Sequence, residues 1–179
     1  MTLSDAEFAE ALSDFEHTAF RLEVQRAYRE PSESETVARF MAGTPEPPTA
    51  VEGLREWFNQ VTTHVAQGKR MERVRVHEDP PTDYQRWERW IGRWNAEAGE
   101  LIHYLTRARA HEIGLLPAAG DQDFWLLDSC RLIVMTFDHA GNRIRSELIT
   151  DPAMVIRANA WRDLALHFSL LGETRDVVA

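Results

Sequence analysis

Alternation of apolar and polar residues along the chain predicts six β-strands. Residues 20–25 alternate strictly, and residues 71–78 alternate again, with Val74 and Val76 on one side, so each strand would turn one face to a core. Further strands are predicted over residues 100–107, 124–128, 131–137 and 143–149. Only short turns separate the last three, so together they predict an antiparallel meander.

Apolar residues at helical spacing predict helices between these strands. The first helix is expected over residues 5–16. In the helix after Thr82, steps of three and four residues place Tyr84, Trp87, Trp90, Ile91 and Trp94 on one face. Capping signals predict helix starts at Ser4, Ser32, Thr49, Thr82 and Asp151-Pro152.

Helices interleave with strands early in the chain, followed by a run of strands and a final helix. This order is typical of an α+β fold with a mostly antiparallel sheet. We expect the Trp-rich helix and the C-terminal helix to cover that sheet. The length of 179 residues suits a single domain, with a helical portion over residues 1–68 and a sheet-rich portion over residues 69–179.

Composition and charge narrow the classes of function. The net charge of -9 argues against direct nucleic-acid binding, which needs a cationic face. No stretch predicts a signal peptide or a membrane span, and Cys130 is the single cysteine, so we expect a cytoplasmic protein. No ligand spacing predicts a metal site, and no motif predicts a cofactor.

Several short motifs are spread over nearly the whole chain. They are Phe20-Arg21-Leu22-Glu23 with Tyr28, Arg73-Val74-Arg75-Val76, Asp83-Tyr84, Glu88, Asp123–Asp128, Glu147-Leu148 and Asp151-Pro152. With these motifs the chain resembles an uncharacterised actinobacterial family, a domain of unknown function often encoded beside Xre-type helix-turn-helix regulators. This resemblance implies a regulatory or accessory role and a helix-turn-helix transcription regulator as partner. A more distant similarity to phospholipase D-like sensor domains implies a related fold without the His-x-Lys catalytic signature.

The best candidate site is a group of arginines on alternating strand positions. Arg73, Arg75 and His77 share one side of a strand, and two guanidinium groups about 7 Å apart can clamp a carboxylate or phosphate. Arg21 and Glu23 would extend this surface if the two strands pair. The alternative is a solvated sheet face with cross-strand ion pairs, such as Arg73 with Glu23.

Other residues are weaker candidates. Trp90, at the edge of the aromatic face, is the one most expected to be exposed and to contact a partner. His103 is expected to be a hydrogen-bonded, partly buried strand residue. Asp123, Asp128 and Asp151 are interpreted as turn or cap residues, although sheet pairing could gather carboxylates for acid–base chemistry.

Taken together, these patterns favour a binding module over a catalyst. The module would bind either a protein partner or a small anionic ligand, through Arg21, Glu23, Arg73, Arg75 and His77. The alternative is a small tailoring or hydrolytic enzyme of specialised metabolism, with its acid, base and charge stabiliser in one pocket. A homodimer is a third possibility, and the patterns identify neither the ligand nor the partner.

Overall fold

A computed structural model describes residues 1–172 of the chain. Within that range, the chain forms one seven-stranded sheet and six α-helices. In chain order the elements are α1 (Asp5–Ser13), β1 (Thr18–Glu23), α2 (Ser34–Met41), a 3-10 turn (Pro48–Ala50), α3 (Glu52–Ala66), β2 (Arg70–His77), α4 (Asp83–Ala98), β3 (Leu101–Thr106), α5 (Arg107–Glu112), β4 (Asp123–Leu127), β5 (Arg131–Phe137), β6 (Arg143–Ile149), α6 (Pro152–Phe168) and β7 (Leu170–Leu171).

The sheet is mixed, with the strand order β6-β5-β4-β1-β2-β3-β7. Strands β1, β2 and β3 pair in parallel, and the other neighbours pair antiparallel. The predicted α+β class and the meander β4-β5-β6 are therefore confirmed. The helical portion predicted over residues 1–68 contributes β1 to the middle of the sheet. The single-domain boundary and the phospholipase D-like fold stay predictions.

Helices cover both faces of the sheet, as an extensive apolar core on each side requires. On one face, Leu22, Val74 and Leu126 pack with Ala158 and Ala165 of α6. On the other face, α1 and α3 contribute to a second cluster, and α3 and α4 pack together in a third. The Trp-rich helix α4 and the C-terminal helix α6 cover the sheet as expected, from opposite sides.

Local signals predicted some helix boundaries and missed others. Ser4 and Thr82 form the expected capping boxes at the starts of α1 and α4. The starts predicted at Ser32 and Thr49 are wrong, since α2 begins at Ser34 and α3 at Glu52, both without a side-chain cap. Helix α1 ends at Ser13, before the predicted residue 16.

The segment after β3 also differs from the prediction. The strand predicted over residues 100–107 ends at Thr106, whose hydroxyl accepts a hydrogen bond from the backbone N–H of Arg109. This cap starts α5 at Arg107, within a region where strand and then loop were expected. A side-chain cap, rather than a neighbouring strand, thus binds the backbone N–H of Arg109.

Candidate functional site

A cavity of about 300 Å³ lies between the sheet and the layer formed by α1, α3 and α4. Its floor carries Arg21 and Glu23 from β1 and Arg73 and Arg75 from β2. These side chains meet because the parallel register of the two strands sets Arg21 beside Arg73 and Glu23 beside Arg75. Four of the five residues predicted as a ligand site therefore line one cavity.

Glu23 is the centre of this polar floor. Its Oε1 lies 3.0 Å from Nη1 of Arg73 and 3.2 Å from Nε of Arg21, and its Oε2 lies 2.7 Å from Nε of Arg75. Burial disfavours the charged carboxylate, but the three guanidinium groups outweigh burial and hold the pKa of Glu23 well below its usual range. Glu23 is therefore a carboxylate at any physiological pH.

Further carboxylates hold the two arginines of β2 from the helix side of the cavity. Arg73 donates to Oε1 of Glu100 at 2.6 Å, and Oε2 of Glu100 accepts from Asn95 at 2.8 Å. Arg75 donates to the backbone carbonyl of Glu88 at 2.9 Å and lies 3.4 Å from its carboxylate. These in-plane contacts fix both guanidinium groups in position.

His77, the fifth predicted residue, is buried beside the cavity and is not part of its lining. Its Nε2 lies 3.1 Å from Oε2 of Glu88, and its Nδ1 accepts from Nε of Arg89 at 3.3 Å. The Arg89 donor requires a lone pair on Nδ1, so the ring proton is on Nε2 and is donated to Glu88. His77 therefore orients Glu88.

The interpretation of this strand face as solvated is wrong. Arg73 and Arg75 are 4% and 5% exposed. A second layer of helices covers the face, a packing that alternation along one strand does not reveal. The ion pair anticipated between Arg73 and Glu23 is present, but it is buried.

Aromatic rings alternate with the arginines along one wall. The guanidinium carbon of Arg73 lies 5.7 Å and 5.9 Å from the ring centroids of Trp57 and Trp125. That of Arg21 lies 5.5 Å from Trp125 and 5.6 Å from Tyr28. Each arginine thus stacks between two aromatic faces, which adds cation–π attraction and restricts its motion.

Two acid–phenol pairs complete the site. The hydroxyl of Tyr28 donates to Oδ2 of Asp123 at 2.5 Å, and that of Tyr84 donates to Oε2 of Glu33 at 2.6 Å. Burial raises the pKa of Asp123 to about 6 and that of Glu33 to about 7, against the lowering effect of the phenol hydrogen bonds. Both acids therefore change charge near neutral pH.

Sequence patterns did not predict most of these additional residues. The interpretation of Asp123 as a turn residue is wrong, because this side chain is fully buried and accepts a hydrogen bond from the backbone N–H of Val24. Alternation along β4 could have placed Asp123 and Trp125 on one face, opposite Phe124. No sequence signal connects Glu33 to this site, because it precedes a helix in a different layer.

The other candidates lie away from the cavity floor. The expected exposure of Trp90 is wrong, since it is 8% exposed and packs against Phe40 and Trp94. His103 is partly buried and hydrogen-bonded to Glu72 at 2.9 Å, as predicted.

The two remaining aspartates are turn and cap residues, as expected. Asp128 lies in the turn after β4, and its carboxylate accepts hydrogen bonds from the backbone N–H groups of Glu16, His17 and Thr18, at the start of β1. Asp151 caps α6. Neither carboxylate lines the cavity.

The fold and the cavity define an α+β domain with a mixed sheet, helices on both faces and a buried polar site. Residues 6–171 match a family described as a domain of unknown function, DUF6879, and the chain belongs to that family. No curated protein matches the chain.

None of the helices within residues 1–172 is both long enough and apolar enough to cross a membrane. In the same part of the chain, no three His, Cys, Asp or Glu side chains are grouped as metal ligands.

Proposed function

We propose that this domain binds a small anionic molecule in the cavity and acts as a non-catalytic regulatory or accessory module. The observation that supports this proposal is the cavity itself, with a charged floor and aromatic walls. Its volume of about 300 Å³ is at the lower end of the range for small-molecule sites. Such sites combine apolar walls with a few fixed polar groups, as this one does.

The stacking of the arginines supports binding without large rearrangement. Arg21 and Arg73 are already held between aromatic faces, and Glu23 fixes their separation. A ligand therefore meets polar groups whose conformational entropy has been lost during folding, and this preorganisation favours affinity.

Native mass spectrometry of the purified protein tests the proposal. We expect a retained small molecule, released on denaturation. Ser32 lines the cavity, so Ser32→Trp should obstruct it and abolish retention. Ser34 is exposed and does not line the cavity, so Ser34→Trp is the matched control and should retain the molecule. Equal retention by both variants would contradict the proposal.

A small tailoring or hydrolytic enzyme is the second candidate, and the raised pKa values favour it. Acids with pKa values shifted toward neutrality concentrate at catalytic sites. Glu33, with a pKa of about 7 beside the Tyr84 hydroxyl, is suited to general acid–base catalysis. If the protein chemically converts the molecule that it retains, and Glu33→Gln binds that molecule without converting it, the protein is an enzyme.

The proposed protein partner is a helix-turn-helix transcription regulator, and its support is the family resemblance alone. The burial of Trp90 removes the exposed aromatic contact expected for such a partner. Size-exclusion chromatography with light scattering distinguishes a monomer from a homodimer and, with the regulator added, detects a hetero-complex. We also propose that the protein is located in the cytoplasm.

A further inference from the structure

The three arginines of the cavity floor differ in how their N–H groups are used. Arg73 and Arg75 donate in-plane hydrogen bonds to carboxylate or carbonyl oxygens. Arg21 makes only ionic approaches, 3.2 Å to Glu23 and 3.6 Å to Asp123. The 3.2 Å approach to Glu23 is made by Nε outside hydrogen-bond geometry, and the Arg21 side chain donates no hydrogen bond within residues 1–172. Arg21 is therefore the arginine with donor capacity left for a ligand.

A second unused donor lies beside Arg21. Trp125 lines the cavity, is 1% exposed, and stacks on the Arg21 guanidinium. Its Nε1 is buried without a partner in residues 1–172. Buried donors are usually satisfied, because an unsatisfied one has lost its hydrogen bonds to water without replacement. Because Arg21 and Trp125 stack on each other and line the same cavity, a ligand with an acceptor group there could take hydrogen bonds from both side chains.

We propose that the ligand is a small aromatic carboxylate, whose carboxylate group binds Arg21 and the Nε1–H of Trp125. This assignment rests on the proposed binding function. It makes Arg21 the arginine that binds the anionic group, in place of the clamp predicted from Arg73 and Arg75. Displacing the carboxylates of Glu23 or Glu100 from the β2 arginines would leave buried charges unpaired, a penalty that binding at Arg21 avoids. The aromatic body of the ligand packs against the ring-lined wall of the cavity.

Neighbouring charges favour a carboxylate over a phosphate. Glu23 and Asp123 lie beside Arg21, so a ligand with two negative charges would be repelled more strongly than one with a single charge. The charge of Glu23 is compensated by three arginines. Asp123, with a pKa raised to about 6 by burial, can take up a proton when the ligand binds.

Isothermal titration calorimetry with indole-3-acetate and its neutral amide, indole-3-acetamide, tests this assignment. We expect the wild type to bind the acid at least tenfold more tightly than the amide. Binding of the acid should be accompanied by net proton uptake, which is measured from the change in binding enthalpy between buffers of different ionisation enthalpy. Arg21→Gln should weaken binding of the acid at least tenfold, and Trp125→Phe should weaken it several-fold. Arg86→Gln is the control, because Arg86 is exposed on α4 and does not line the cavity; its affinity should equal that of the wild type.

Several results would overturn the assignment. These are equal affinities for acid and amide, an unchanged affinity in Arg21→Gln, or no binding of the acid by the wild type. Circular dichroism must first show that each variant is folded, and Arg21→Lys, which keeps the charge but lacks Nε, replaces Arg21→Gln if that variant unfolds. A different molecule retained in native mass spectrometry would still support the binding function after the carboxylate assignment had failed.

Discussion

Replacing Glu23 by glutamine removes one negative charge from the point where three arginine side chains meet. Glu23 is 4% exposed, and its oxygens lie 2.7–3.2 Å from Arg21, Arg73 and Arg75. Glutamine has nearly the same shape, so the substitution tests charge rather than packing. In the variant, buried guanidinium groups face a neutral amide that also presents N–H donors toward them.

The expected loss is large because the remaining charges stay buried. Breaking a buried ion pair by removing one partner costs about 3–5 kcal/mol. Since a domain is stable by about 5–15 kcal/mol, this is a substantial fraction of the total. At about 2–4 °C per kcal/mol for a domain of this size, the melting temperature should fall by about 6–20 °C.

The loss should depend on pH in a defined direction. The pKa of Glu23 is lowered by folding from its ordinary value of 4.5, so the carboxylate stabilises the folded state fully above that value. Its contribution disappears as pH falls through the lowered folded pKa. The difference in stability between wild type and Glu23→Gln should therefore shrink below about pH 4.

Urea unfolding followed by tryptophan fluorescence measures these differences. Glu35→Gln is the matched control, because Glu35 forms an exposed pair with Arg39 at 2.9 Å, and exposed pairs contribute little. If the midpoint of Glu23→Gln at pH 7 coincides with that of Glu35→Gln, the buried network does not stabilise this fold. The site would then owe its geometry to packing alone.

Two other changes probe the walls of the cavity. Gly141→Ala places a methyl group 2.6 Å from the carbonyl oxygen of Ala27, at a φ of +86°. In Gly114→Ala the added methyl group meets open space, so only the φ of +75° costs stability, by about 1–2 kcal/mol. The free energy of unfolding in urea should therefore fall further for Gly141→Ala than for Gly114→Ala. Tyr28→Phe removes a hydrogen bond that lowers the pKa of Asp123, so the carboxyl 13C titration of Asp123 should move upward from about 6. Folding raises the pKa of Asp123 above 3.8, so the stability of the protein falls as pH rises from 3.8 to the pKa of Asp123 in the folded state. In Tyr28→Phe this fall in stability should continue to a higher pH. An unchanged titration of Asp123, or equal losses in the two glycine variants, would contradict these assignments.

Patterns along the chain predicted the elements well where neighbours in sequence decide the conformation. Ser4 and Thr82 cap their helices through hydrogen bonds that span three residues, so the capping pattern was sufficient. The same pattern failed at Ser32 and Thr49, since α2 and α3 begin further along the chain and neither has a side-chain cap. Trp90 shows the same limit, since a Trp-rich helix face indicates burial but does not tell how far its edge is covered.

The arginines could be predicted as a group because period-two alternation on two strands places each set on one face. Their chemistry depended on which strands are neighbours. The parallel pairing of β1 with β2 joins residues about fifty positions apart, and β4 on the other side of β1 brings Asp123 and Trp125 to the same face. The helix layer then turns a half-exposed strand face into a buried one. Burial in turn pairs every floor arginine with carboxylates and raises the pKa values of Asp123 and Glu33, effects that need surroundings in three dimensions and are absent from a linear pattern.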